Sequence, residues 1–269
     1  MPSEAGSLTK YTQQQIFNII VRIFILILTF SFAFHSFAKP VQIAIVIDDI
    51  GYRISDKHAL TLPEPVTLSF LPHTPFGQSL AEAAHRQNKE VLLHIPMEST
   101  IGKKLGPGAI TSDMNESKIR ATLGASFEEI PFAVGINNHM GSHLTTLYDP
   151  MAWTMGYLKD HNLLFLDSVT SAQSKGQSVA REFGVPVMRR HVFLDNQLTV
   201  EYITGQFNQL LDKARLNQKA IGIAHPHPET IEILNTLLPT LAKHNIELVK
   251  LSSLYHASNI EQRIAKKAD

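Results

Sequence analysis

The stretch QIAIVIDDIG, residues 42–51, drives five apolar residues straight into a pair of aspartates. It lacks the alternation of a strand with one wet face and suits a strand buried on both faces of a parallel sheet. Similar runs recur: VTLSFL at 66–71, VLLHI at 91–95, FAVGI at 132–136, LLFL at 163–166, VPVM at 185–188, AIGIA at 220–224 and IELV at 246–249. Between them, residues 76–88, 115–126, 150–161, 200–217 and 229–243 carry apolar residues at helical spacing, as in Ile203, Phe207, Leu210 and Leu211. Asp113 or Asn115 and Thr199 are candidate caps for two of these helices. The pattern predicts an α/β fold, a distorted (β/α) barrel of about seven or eight parallel strands, with an open doubly wound sheet as the alternative. The interval from Tyr52 to Pro65 is poorly helical, which argues against strict regularity, and segment 97–112 reads as a loop over the strand ends.

Polar residues collect just past the carboxyl ends of these runs. Asp48 and Asp49 follow the first, and His94 lies in the third. Asn137, Asn138, His139 and His143 follow the fourth, Asp167 the fifth, Arg189, Arg190 and Asp195 the sixth, and His225 and His227 the seventh. Parallel α/β folds place these ends on one face, where their active sites lie. Adjacent residues in a strand point apart, so Asp48 and Asp49 share the rim only where the chain bends; otherwise one of them caps the turn. In HMGSH, residues 139–143, Met140 stands where a zinc protease has its glutamate, and Gly141 argues for a turn. Two readings stay open: a polar turn, or His139 and His143 converging on one ion with a carboxylate from the first strand. His58, His73, His85, His161, His191, His244 and His256 have no evident partner and read as structural or surface residues.

Whole-chain features bound the chemistry. Lys+Arg and Asp+Glu both number 24, so no net charge points to nucleic acid. Cysteine is absent, and a metal site must therefore use His, Asp, Glu or water. Residues 1–38 read as a secretory signal peptide: Lys10 and Arg22, the run IFILILTFSFAF, then Ser36-Phe37-Ala38. An uncleaved anchor is the alternative, but about 20 apolar residues are reached only by counting back through Arg22. Residues 39–257 then form one exported, periplasmic domain with no membrane span after cleavage, and 258–269 a basic tail.

Taken together, IAIVIDDIG (43–51), LLHIPME (92–98), GINNHMGSHLT (135–145), FLDSVTS (165–171), RRHVFLDN (189–196) and GIAHPHPET (222–230) resemble the polysaccharide deacetylases. The closer likeness is to their divergent branch in bacterial envelopes. The resemblance implies a distorted (β/α) barrel and hydrolysis of N-acetyl groups on a glycan with Zn2+ or another divalent metal. It implies Asp48 as base, Asp49, His139 and His143 as metal ligands, and His225 as general acid. Either His94 or His225 could complete the coordination in place of His143. His94, Asn138, Asp167, Arg190 and Asp195 are the remaining expected pocket residues. Ile50 intervenes before Gly51 where the family usually has glycine, and Arg189 or Arg190 with Asp195 stands in for its arginine motif. The alternatives are a non-catalytic glycan-binding protein on the same fold and a phosphoester hydrolase, for which Arg189-Arg190 is the only support.

Overall fold

The computed structural model describes residues 40–255 and residues 17, 18, 21 and 22; the expected export segment and basic tail lie outside the described residues. Among the described residues one all-parallel sheet contains β1 (Val41–Ile50), β2 (Thr67–Phe70), β3 (Val91–Met97), β4 (Gly135–Met140) and β5 (Leu164–Asp167). It continues with β6 (Val187–Arg189), β7 (Val192–Phe193), β8 (Lys219–Ala224) and β9 (Ile246–Leu248). The strand order is β6-β5-β4-β3-β2-β1-β8-β7. One edge of β1 pairs with β8, and the other meets β9 at residues 41–43 and β2 at 46–50.

Although β6 and β7 follow each other in the chain, they stand at opposite ends of that order. Residues 190 and 191 cross between them. The Arg190 N–H donates to Asp167 O on β5 at 3.0 Å, and the His191 N–H donates to Ile221 O on β8 at 2.9 Å. The curled sheet is thus a distorted (β/α) barrel, shut along one seam by two residues rather than by a strand pair.

Alternation sorts the side chains into two apolar layers. Ile43, Ile45 and Ile47 of β1 face outward with Leu93, Ile136 and Phe165, against helical residues such as Leu123, Met155 and Phe207. Those helices are α1 (Gly77–Arg86), α2 (Glu116–Glu129), α3 (Tyr148–Asp160), α4 (Gly176–Phe183), α5 (Val200–Asn217) and α6 (Pro228–Leu237). Asn115 and Thr199 cap α2 and α5, accepting from the N–H groups of Lys118 and Tyr202. Ala44, Val46, Leu92, Leu166, Ile221 and Ile223 face inward with Leu251 and Leu254 from the end of the described chain. Emptying one fully buried site in either layer, Ile45→Ala for example, costs about 2–5 kcal/mol.

Three departures from the sequence reading have local causes. The interval after β1 holds a 3-10 helix, Ile54–Thr61, whose apolar residues form no stripe. Helix α4 is short and opens on Gly176, where a Cβ would stand 2.7 Å from the Phe165 ring. The helix expected over 229–243 is α-helical only to Leu237 and becomes 3-10 from Leu238, just before Pro239. Segment 98–115 contains no strand or helix apart from a bridge between Met97 and Ile110.

The amino-terminal end of the barrel is closed by ionic residues that each have several hydrogen-bond partners. Lys89, buried, donates to Leu62 O at 2.5 Å and Pro63 O at 3.1 Å. Glu90, also buried, accepts from the Thr67 hydroxyl, the Ser252 N–H and the Ser252 hydroxyl. That carboxylate meets the Ser252 amide of the helical turn at Leu251–Tyr255, the Thr67 hydroxyl takes the Leu251 N–H, and together they hold Leu251 and Leu254 in the inner layer.

A candidate metal and active site at the carboxyl ends of the strands

The inner layer ends at the opposite rim in a polar stratum: Asp48 from β1, Ser69 from β2, His94 from β3 and Asn137 from β4, all buried. The register of β1 against β2 slips between Ile47 and Ile50, and Asp49 takes a left-handed φ of +59°. That bend brings both aspartates to one side. Aspartate tolerates the conformation better than most residues, though with a strain that glycine would not feel.

Asp49 is the hub. Its Oδ1 lies 2.7 Å from His139 Nδ1 and 3.1 Å from His94 Nε2. One ligand atom from each of these three residues falls within 4.8 Å of the other two. Oδ1 is buried, yet it receives no hydrogen bond of proper geometry despite its two close nitrogens. An orphaned carboxylate oxygen facing two imidazoles fits a divalent cation, and one carboxylate with two histidines is a zinc-type donor set.

A single asparagine orients the neighbours. Asn137 Oδ1 accepts from the Ser69 hydroxyl at 2.6 Å and lies 2.8 Å from His94 Nδ1. With Asn137 Oδ1 as acceptor, His94 Nδ1 carries a proton, and Nε2 is the ring atom that faces Asp49. The Asn137 amide in turn donates to both oxygens of Asp48, at 2.8 and 3.0 Å. Burial pushes the Asp48 carboxyl above its ordinary value, against the pull of His94, His225 and Asn137. For Asp49 burial acts the same way, but His139 and His94 overcome it and hold the carboxyl well below the usual range. In His94 burial opposes the charged form, and the two aspartates outweigh it.

Across the cleft, at the end of β8, Asp195 grips His225. It accepts the His225 N–H at 2.7 Å, lies 3.0 Å from the ring Nδ1, and takes the Thr230 hydroxyl at 3.0 Å. His225 Nε2 points back to within 3.9 Å of Asp49 Oδ2. Burial disfavours its protonation, but the Asp195 hydrogen bond and the aspartate charges push it up to about 9. Asp49, His139 and His225 open on a cleft of about 230 Å³, with Tyr52 and Arg53 on its wall.

The other expected residues have partners of their own. His143 is outside the three-donor group. Met140 and Gly141 both have positive φ, +55° and +89°, and the turn they make sends the His143 N–H to Glu98 O at 3.1 Å. Asn138 accepts the Ser168 N–H and donates to Met140 O. Asp167 accepts from the Val169 N–H and the Ser174 hydroxyl. Arg190 donates to the carbonyls of Ser168 and Val169, while Asp195 is engaged with His225. Asn138, Asp167 and Arg190 thus shape the loop after β5, and the stand-in pairing of arginine with Asp195 does not form. Sequence reasoning missed Ser69, which alternation within VTLSFL points inward, and Thr230.

A family model for divergent polysaccharide deacetylases matches residues 45–255. The chain belongs to that family. The chain is 37% identical over 221 residues to the uncharacterized protein YibQ of Escherichia coli, covering 82% of this chain and 69% of that one. An uncharacterized protein of Haemophilus influenzae is 31% identical over 241 residues, 89% of this chain and 85% of the relative. Among solved structures it is similar to the uncharacterized protein ATU2773 of Agrobacterium tumefaciens, at TM-score 0.77 and 29% identity, over 81% of this chain and 91% of that one.

Proposed function

We propose that this divergent deacetylase removes N-acetyl groups from an envelope glycan, using a divalent metal held by Asp49, His94 and His139. The observation that carries the reading is the buried, orphaned Asp49 Oδ1 between two imidazoles. His94 takes the place expected of His143. Zinc is the ion suited to such a set. When bound, it acts as a Lewis acid that polarises the acetyl carbonyl and lowers the pKa of water. Asp48, positioned by Asn137 and made more basic by burial, takes the proton of the attacking water. His225, kept protonated by Asp195, donates to the departing amine. Ser69 and Asn137 fix the tautomer of His94 throughout.

Residues 1–38, read as a secretory signal peptide, support export and work in the periplasm. The test is acetate release from N-acetylated chito-oligosaccharides and peptidoglycan fragments by the zinc-loaded protein, with metal content measured on the same sample. The reading expects about one ion per chain and acetate formed in proportion to enzyme. A protein that holds zinc and binds these glycans but frees no acetate is a glycan-binding protein instead.

A further inference from the structure

Arg189 and Arg190 take no part in the cleft above. They border a separate cavity of about 700 Å³ along the seam where residues 190 and 191 shut the barrel. Val187, Met188, Ile221 and Leu254 give it an apolar wall, and Arg181, Arg189, Arg190 and Lys219 surround it with four cations. Among the described residues no carboxylate lines it, and it shares no residue with the Asp49 cleft.

Arg190 is held by neutral carbonyls, and Arg189 has only a loose ion pair. Arg190 donates to two carbonyls, Ser168 O at 2.7 Å and Val169 O at 2.9 Å, and its guanidinium lies 3.7 Å above the Phe193 ring. Arg189 Nε is buried and makes no hydrogen bond; its ion-pair partner, Asp167 Oδ2, stands 3.7 Å away and is already engaged by Ser174. His191 lines the same cavity and registers its field. Burial first, then Lys213, Lys219, Arg190 and Arg189, hold its ring below the ordinary imidazole value.

We propose that the seam cavity binds an organic phosphate, its charged head among the arginines and its apolar portion against Val187, Met188 and Ile221. Several cations around one cavity suit a group with more than one charged oxygen better than a single carboxylate, and the guanidinium fork matches phosphate. The volume is in the range of small-molecule sites. This gives Arg189-Arg190 a binding role where the sequence offered the pair only as the sole support for a phosphoester alternative.

Calorimetric titration of the purified protein with monomeric dodecyl phosphate tests it, beside dodecyl maltoside and inorganic phosphate. Dodecyl phosphate is expected to bind at one site at least about tenfold more tightly than either. The double variant Arg181→Glu/Lys219→Glu is expected to weaken it at least about tenfold, with melting temperature and metal content unchanged. Arg189→Gln, which removes a cation without reversing charge, weakens it less but in the same direction. Co-sedimentation with phosphatidylglycerol vesicles that the double variant loses supports the site and assigns the phosphate to a membrane lipid. Monomer binding without sedimentation supports it equally and assigns a soluble phosphate. The site is overturned by equal affinity for the maltoside, or by variants that bind as the parent does.

Discussion

The two ends of the barrel both bury ionisable side chains and dispose of them in opposite ways. At the amino-terminal end Lys89 and Glu90 spend their hydrogen-bonding capacity on main-chain carbonyls, an amide and two hydroxyls. At the carboxyl end Asp48 is fully engaged by Asn137, while Asp49 Oδ1 sits between two imidazoles with no proper hydrogen bond. Burial of charge is common to both ends and so cannot mark function. What separates them is an unpaired acceptor: one end is a finished staple, and the other keeps a buried carboxylate oxygen without a hydrogen bond.

The comparison can be broken by substitutions at either end. Asp48→Asn carries the largest expected effect. Acetate release should fall about a thousandfold, the usual worth of a positioned base, while zinc content and melting temperature hold. Retained turnover there would remove Asp48 from the chemistry. Next comes His94→Ala, which should weaken zinc binding by more than about a hundredfold, beyond the effect of removing an outer partner. His143→Ala should leave affinity unchanged, and the reverse order in a competition titration would restore the histidine pair as the ligand set.

At the other end Glu90→Ala should cost about 2–3 kcal/mol, seen as a melting temperature lower by roughly 5–10 °C. Activity per folded molecule should stay constant; a specific loss of turnover would deny that this end is structural only. The smallest effect belongs to the seam. His191 Nδ1 accepts the Ile221 N–H at 3.0 Å, so the ring must be neutral there. Its folded pKa lies below the ordinary 6.5 because of burial and the cations Lys213, Lys219, Arg190 and Arg189. As pH falls past about 6.5 the unfolded chain takes up the proton first. This contribution is therefore full above that pH and is lost through the folded value, amounting to about 1 kcal/mol for one hydrogen bond. Denaturant melts from pH 8 to 5 should show the loss, and His191→Asn should flatten it.

How much of this was legible follows the physics of each segment. Continuous apolar runs announced the strands, since a parallel sheet buried on both faces has no alternation to hide. The rule of strand ends then brought Asp48, Asp49, His94, His139, Asp195 and His225 to one rim. The fourth strand was placed too early, at 132–136, whereas β4 runs from Gly135 to Met140. Asn137, Asn138 and His139 are poor advertisements for a strand, and it is their pairing with β3, from Leu93–Ile136 to Met97–Met140, that makes them one. The spacing of His139 and His143 is uninformative for a related reason: it says nothing about the two positive φ angles between them. The seam was invisible, because β7 is two residues long and its closure depends on β8 about thirty residues later.

The positive φ of Asp49 bears on how this chain could decay. Glycine or asparagine would occupy that angle with less strain. A copy freed from its chemistry could therefore gain folding stability from the same single change that deletes the carboxylate. Loss of function would run downhill at this residue, and the aspartate kept there is what a site still in use would retain.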